Sequence, residues 1–269
     1  MNPLAFTSPV VVASGCGGTG RDLAPFDGLA GIGAFITRSL TLNARTGWPA
    51  PRVSASDSGI VHATGLPNPG PEQFLALELP RLVADGIAPI ASLAAGTAAE
   101  WAELAHLLSH APGLRGLELN LAADAGLLTD TSPQHLQQVV AAVRARVPTG
   151  LPVIAKLGFD TDGLVASARA VVDGGADAVT VGGGLPALMP DGRLGSLVGP
   201  AIQPVALRAV ASVHTALPDV PVLGAGGIRS AAGARAFLSA GASAVQIGSA
   251  LLADPTAAAH IAADLEGDR

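Results

Sequence analysis

The chain has 269 residues, of which 49% are hydrophobic, 13% are charged and 34 are glycine, and its net charge is -6. This composition supplies a large apolar core and excludes a disordered chain, while the acidic balance argues against nucleic acid or an anionic membrane as partner. A single cysteine excludes a disulfide framework and a cysteine metal site, and no metal site of any kind is predicted. Since no signal peptide or membrane-length apolar run is present, we expect a cytoplasmic protein that acts on a small molecule.

Short apolar runs alternate with helical patterns along the chain. Each run is too short for a helix and lacks the alternation of a half-exposed strand, so it predicts a strand buried on both faces. The eight predicted strands cover residues 10–13, 34–37, 87–93, 116–120, 153–156, 178–181, 222–225 and 244–247. The predicted helices cover residues 71–85, 98–109, 133–146, 161–173, 200–216, 231–240 and 255–265, with capping residues expected at Thr97, Ser132, Asp160 and Asp254.

Eight strands that alternate with helices predict an α/β protein with a parallel sheet. Right-handed crossovers close such a sheet most simply as a (β/α)8 TIM barrel, which we expect to form a single domain over residues 1–269. An insertion at residues 40–70, rich in Pro, Gly, Ser and Asn, separates the second strand from its helix and is long for such a loop. Because loops of this kind lie at the catalytic mouth of a barrel, the insertion is expected to form a lid.

Glycine-rich loops follow the last two predicted strands. Gly224, Gly226 and Gly227 lie at the end of the seventh strand, and Gly248 and Ser249 follow the eighth. Loops without side chains let a phosphate approach backbone N–H groups, and TIM barrels often hold phosphate after strands seven and eight. The pair therefore predicts a phosphate site, although each loop alone could be a tight turn.

Lys156 is the only lysine in a chain with fourteen arginines. It ends a buried strand, where a compact ammonium can reach a ring nitrogen or oxygen inside the barrel, a task that a planar guanidinium does poorly. The alternatives are a surface lysine that extends to solvent and a Schiff-base lysine on a barrel strand.

The chain resembles the FMN-dependent dihydroorotate dehydrogenases, in particular their soluble class. The motifs that carry the resemblance occur in the family's order. They are A-S-G at 13–15, T-R-S-L-T at 37–41, G-L-P-N-P-G at 65–70, E-L-N at 118–120, A-K-L at 155–157, V-G-P-A-I-Q-P at 198–204, G-G-I at 226–228 and Q-I-G-S at 246–249.

The resemblance implies an FMN site at the barrel mouth. It would place the phosphate on Gly226, Gly227, Gly248 and Ser249, and the isoalloxazine ring against Ala13, Ser14 and Gly15. Ser39, Asn120 and Gly199 would add hydrogen bonds. Lys156 would lie beside the N1–O2 edge of the flavin and stabilise its reduced form. The residues that it leaves for a substrate are Arg38, His62, Asn68 and Asn120.

The substrate positions depart from the family pattern. Ala123 stands where the soluble class has its proton-abstracting cysteine, and Gly182 stands in place of an asparagine after strand six. Asp124 or His62 could serve as the base instead, although Asp124 could equally be an exposed loop residue or a cap.

These features predict an FMN-dependent oxidoreductase of dihydroorotate dehydrogenase type, with catalytic candidates Lys156, Asp124 and His62. Its reaction would be the oxidation of dihydroorotate to orotate, or a related CH–CH oxidation or reduction at an altered substrate site. A non-redox barrel is the alternative, either a Schiff-base lyase that uses Lys156 or a flavin- or phosphate-binding protein without catalysis. A homodimer and a separate electron-transfer partner both remain open.

Overall fold

Eight parallel strands close into a barrel in a computed structural model that describes residues 4–18, 20, 22–122, 126–159 and 163–267. With strands numbered in chain order, the barrel strands are β1 (Val10–Val12), β2 (Ala34–Ile36), β5 (Pro89–Leu93), β6 (Gly116–Asn120), β7 (Val153–Leu157), β8 (Ala178–Val181), β11 (Val222–Ala225) and β12 (Ala244–Ile247). β12 pairs with β1 and closes the ring. The predicted (β/α)8 barrel is therefore confirmed.

Helices connect the barrel strands and cover their outer faces. They are α1 (Gly70–Gln73), α2 (Leu79–Ala84), α3 (Ala98–Ser109), α4 (Pro133–Arg144), α5 (Leu164–Asp173), α6 (Gln203–Ala216), α7 (Ala231–Ser239) and α8 (Ala257–Gly267). The single helix predicted at 71–85 is interrupted by a π-helical turn, Phe74–Glu78. Pro80, which follows it, lacks the N–H that a regular turn would need.

The expected helix caps are only partly described. Thr97 accepts a hydrogen bond from the Glu100 amide, and the Glu100 carboxylate accepts one from the Thr97 amide, so the two residues form a capping box. Ser132 caps α4 with a single hydrogen bond, which its side chain accepts from the His135 amide. Asp254 accepts a hydrogen bond from the Thr256 amide just before α8. Asp160 lies outside the described residues.

The barrel interior changes from apolar to polar toward its mouth. Alternate residues of each strand point inward, and the lower layer consists of Val11, Ala34, Ile36, Ile90, Ile154, Ala178, Leu223 and Ala244. Two residues further along four of these strands lie Ser92, Lys156, Thr180 and Gln246, all of them buried. The floor of the mouth is therefore a layer of polar side chains.

A second sheet forms the lid. Its four antiparallel strands run in the order β3 (Val53–Ser56), β4 (Gly59–His62), β10 (Leu194–Val198) and β9 (Leu185–Leu188). The predicted insertion at 40–70 supplies β3 and β4, whereas β9 and β10 come from the connection between β8 and α6, which the sequence analysis did not identify as part of the lid. The lid is therefore built from two separate segments of the chain.

None of the helices in the described ranges combines the length and the apolar character that a membrane crossing requires.

Candidate active site

A cavity of about 400 Å³ lies between the carboxyl ends of the barrel strands and the lid. Its lower wall is formed by residues that end or follow barrel strands: Ala13, Ser14, Gly15, Cys16, Arg38, Ser39, Asn120, Ala122, Lys156, Gly183, Gly184, Ala225, Gly226, Gly227, Ile228, Gln246, Gly248 and Ser249. The lid contributes Arg52, Val53, Ile60, His62, Thr64, Leu66, Pro67 and Val198, while Ile202 and Leu252 complete the wall. The volume is within the usual range for small-molecule sites.

The two glycine loops lie side by side at this cavity. They follow β11 and β12, which are paired neighbours in the barrel. Gly227 has φ +74°, and a Cβ there would lie 2.8 Å from the Gly199 carbonyl oxygen and 3.0 Å from the Gln203 nitrogen. A side chain at Gly248 would lie 3.3 Å from the Ala13 Cβ. A side chain at Gly227 would collide with backbone atoms, whereas one at Gly248 would be only tightly packed, so the glycines keep both loops free of side chains at the cavity.

A chain of short polar side chains crosses one wall. The Asn120 amide donates to the Ser39 hydroxyl over 3.1 Å, and the Ser39 and Ser92 hydroxyls are 2.9 Å apart. The Ser14 hydroxyl lies 3.5 Å from that of Ser39. These contacts fix three predicted cofactor residues, Ser14, Ser39 and Asn120, against one another.

Lys156 ends in the polar layer beneath the cavity. Lys156 is only 8% exposed, so it is not a surface lysine that extends to solvent. The Nζ atom donates to Gln246 Oε1 over 3.1 Å and lies 3.8 Å from Glu118 Oε1. The single lysine of the chain is therefore a buried, paired ammonium at the cavity wall.

The lid side of the cavity is cationic and apolar. Arg52 and His62 line it together with aliphatic lid residues, and Arg38 reaches it from the barrel. No Asp or Glu is among the described residues that line the cavity. Arg38 donates to the Pro67 carbonyl over 3.4 Å, while its buried Nε atom has no hydrogen-bond partner in the part of the chain that the structure describes. Arg52 is held by the Thr46 carbonyl at 2.8 Å. An anionic ligand would satisfy this half of the cavity.

Cys16 also lines the cavity. Burial raises the pKa of its thiol, and the positive charge of Lys156 opposes that shift in part. The thiol is therefore predominantly protonated at neutral pH.

Two of the predicted site residues lie elsewhere. Gly199 does not line the cavity; its carbonyl instead limits the space at Gly227. Asn68 is buried inside the lid, where its side chain bonds to the Thr41 amide and hydroxyl, the Leu66 carbonyl and the Gly70 amide. Because the side-chain amide of Asn68 bonds only to residues of the lid loop in these contacts, Asn68 supports the loop and does not face the cavity.

Gly182, predicted to replace an asparagine after the sixth barrel strand, does not itself line the cavity. A Cβ at Gly182 would lie 2.5 Å from the Ala225 Cβ, so that position packs against the neighbouring strand. Gly183 is the residue that lines the cavity. Asp124, together with Ala123, lies outside the described residues.

The structure adds site residues that the sequence analysis did not assign. Arg52 reaches the cavity from the lid, and Glu118 and Thr180 lie beneath it in the polar layer. Glu118 carried a usable signal, because a charged residue within an otherwise buried strand, two positions before Asn120, must point to the same side as Asn120. Arg52 could not be identified in this way, because its position at the cavity depends on how the lid folds. Within the described ranges, no group of His, Cys, Asp and Glu is arranged to hold a metal ion.

The fold and the site can be compared with known proteins. A family model described as "Dihydroorotate dehydrogenase" matches residues 1–268. The chain is 40% identical to the "Dihydroorotate dehydrogenase B (NAD(+)), catalytic subunit" of Desulforudis audaxviator, over 98% of this chain and 89% of the relative. It is also 40% identical to the protein of the same name from Pelobacter propionicus, over 98% of this chain and 90% of the relative.

A solved structure gives an independent comparison of the fold. The DHODH of Eimeria tenella, crystallised in complex with ferulenol, matches with a TM-score of 0.81 and 18% sequence identity, over 98% of this chain and 81% of that chain. At this identity the match supports the barrel fold alone. The family model and the two bacterial relatives carry the assignment further: the chain belongs to the dihydroorotate dehydrogenase family of oxidoreductases.

Proposed function

We propose that this chain binds FMN in the cavity and uses it to oxidise or reduce a carbon–carbon bond of a small carboxylate-bearing compound. One observation carries the proposal: a lone buried ammonium, that of Lys156, lies at the wall of a cavity whose adjoining loops are kept free of side chains at Gly227 and Gly248. Phosphate needs accessible backbone N–H groups, and a flavin ring needs a positive charge near its edge. The glycine loops and the ammonium lie at one cavity, which supports the proposal.

The residues fit the cofactor. The cavity volume of about 400 Å³ suits a small cofactor with part of a substrate. Ala13, Ser14 and Gly15 form a wall of small residues on which a planar ring can lie. Lys156 supplies a positive charge to balance the negative charge of reduced FMN. Ser39 and Asn120 are already oriented by a hydrogen bond between them. When bound, FMN supplies the acceptor for the two electrons that leave the substrate.

The cationic half of the cavity indicates the substrate class. Arg38 approaches from the barrel and Arg52 from the lid, and His62, the last residue of β4, also lines the cavity. Arginine binds carboxylates through two parallel hydrogen bonds. The aliphatic residues around them favour a ring or chain with an apolar face, so a carboxylate-bearing cyclic compound matches this wall.

We further propose that dihydroorotate itself is a poor substrate. The resemblance puts Ala123 at the family's base position. Alanine cannot accept a proton, and general-base catalysis is typically worth about 10²–10⁴-fold. His62 is the candidate base that lines the described cavity.

Anaerobic mixing of the oxidised flavoprotein with dihydroorotate tests this point. We expect the visible absorbance of the oxidised flavin to persist for far longer than the time that one catalytic turnover normally takes. Fast bleaching would restore dihydroorotate as the substrate. A colourless protein that FMN cannot reconstitute would instead remove the flavin from the proposal.

The Schiff-base alternative has less support. Lys156 donates to Gln246 and lies beside Glu118, and a nucleophilic amine would have to give up both contacts. Borohydride reduction in the presence of carbonyl compounds should therefore leave the mass of the protein unchanged.

The names of the bacterial relatives bear on the electron acceptor. Both are called catalytic subunits of an NAD(+)-type enzyme. We therefore propose that this chain works with a second subunit that accepts its electrons. Reduced protein on its own should then be reoxidised slowly by NAD+, and rapid reoxidation by NAD+ without any partner would contradict this.

A further inference from the structure

A closed network of four polar side chains lies directly beneath the cavity. Lys156 on β7, Thr180 on β8, Gln246 on β12 and Glu118 on β6 all point into the barrel at this level. Barrel interiors are usually filled with bulky aliphatic residues. A polar layer costs desolvation free energy unless its members satisfy one another, so its presence here calls for a functional reason.

Glu118 is the centre of the network. Its residue is completely buried, and its Oε2 atom accepts hydrogen bonds from the Thr180 hydroxyl at 2.9 Å and from the Gln246 side-chain amide. Gln246 also accepts the hydrogen bond from Lys156 Nζ at 3.1 Å. Gln246 therefore links the carboxylate to the ammonium and sets the direction in which the lysine points.

The second carboxylate oxygen faces the ammonium without a hydrogen bond. Glu118 Oε1 is buried, has no hydrogen-bond partner among the described residues, and lies 3.8 Å from Lys156 Nζ. A buried charge is stable only beside an opposite charge. The two residues thus depend on each other, and the carboxylate partly cancels the positive potential that Lys156 presents to the cavity.

We propose that Glu118 is a positioning residue that, through Gln246, fixes the Lys156 ammonium at the cavity wall and limits the positive charge that a bound flavin experiences there. The inference rests on the proposed FMN site. It concerns this buried carboxylate, which does not line the cavity.

The reduction potential of the bound flavin tests the charge. Glu118→Gln keeps the shape and removes the negative charge, so the ammonium should stabilise reduced FMN more strongly. We expect the ratio of the affinities for reduced and oxidised FMN to rise about tenfold, which raises the two-electron potential by about 30 mV. Lys156→Met should move the potential in the opposite direction.

The sign separates this role from a structural one. If Glu118 only held the lysine in place, Glu118→Gln would displace the ammonium and lower the potential, as Lys156→Met does. A lowered or unchanged potential would therefore overturn the inference. Thr180→Val is the matched control, because it removes a hydrogen bond to the same carboxylate and keeps both charges; its potential should stay at the wild-type value.

A measurement without FMN covers the case in which Glu118→Gln binds no cofactor. In the apoprotein, Lys156→Met leaves the carboxylate buried without a cation and should lower the urea midpoint of unfolding. Adding Glu118→Gln to that variant should recover part of the loss. A double variant that is less stable than Lys156→Met would contradict the coupling. Because no flavin is involved, this result is independent of the proposed function.

Discussion

Gly15 and Gly150 form a matched pair that tests where the flavin ring lies. Gly15 has φ +93° and Gly150 has φ +96°, and a Cβ at either position would meet no heavy atom within 4 Å. Alanine at a positive φ costs about 1–2 kcal/mol. Gly15→Ala and Gly150→Ala should therefore lose the same amount of unfolding free energy, measured by urea denaturation of the apoprotein.

The two variants should differ in their affinity for FMN. Gly15 lines the cavity, whereas Gly150 lies in the connection between α4 and β7, at the opposite end of the barrel. An extra methyl group against a packed ring costs about 1–3 kcal/mol. At about 1.4 kcal/mol for each tenfold change in the dissociation constant, Gly15→Ala should bind FMN about 5- to 150-fold more weakly.

Fluorescence titration of FMN with each apoprotein measures the difference directly. Gly150→Ala should keep the wild-type dissociation constant and so controls for backbone strain. Equal dissociation constants for all three proteins would show that the ring does not lie against Gly15.

Three further predictions follow from single sites. Gly227→Glu should abolish the visible absorbance of the purified protein, because it adds a side chain and a negative charge in the glycine loop; Gly192→Glu, at φ +84° in the open turn of the lid, is the control and should remain yellow. Alkylation of Cys16 should become fast only at a higher pH than the alkylation of an ordinary thiol, since burial raises the pKa of Cys16 and the thiolate is the reactive form. A rate that is already maximal at neutral pH would contradict this. Bound FMN should protect the thiol. Thr97→Ala should cost about 0.5–2 kcal/mol of unfolding free energy through loss of the capping box, with no change in FMN affinity.

The barrel was predictable because its signals are local. A strand such as Val153–Leu157 is buried on both faces and therefore reads as an uninterrupted apolar run. Glycines at the strand ends mark turns by the backbone conformations that they alone adopt freely, as Gly227 does at φ +74°. Lys156 was identifiable by composition, since a single lysine within such a run must satisfy a buried charge.

The lid was only half predictable because its pairing is not local. Strands Leu185–Leu188 and Leu194–Val198 are partly exposed and contain Pro186 and Gly195, so neither shows a strong strand pattern. They are stabilised by pairing with β4, where Ser196 lies opposite His62 from a distant part of the chain. The hydrogen bonds of Asn68 likewise depend on how the loop folds back on itself.

The sequence by itself determined the eight-stranded barrel, the glycine loops and the importance of Lys156, because each follows from the neighbours of a residue along the chain. Only the tertiary structure decided which residues complete the site. Arg52 reaches the cavity through the lid sheet, and Glu118 meets Gln246 across the closed barrel although the two are 128 residues apart. Contacts of this kind form when the sheet closes on itself, and the local pattern of side chains carries no information about which strands will then face each other.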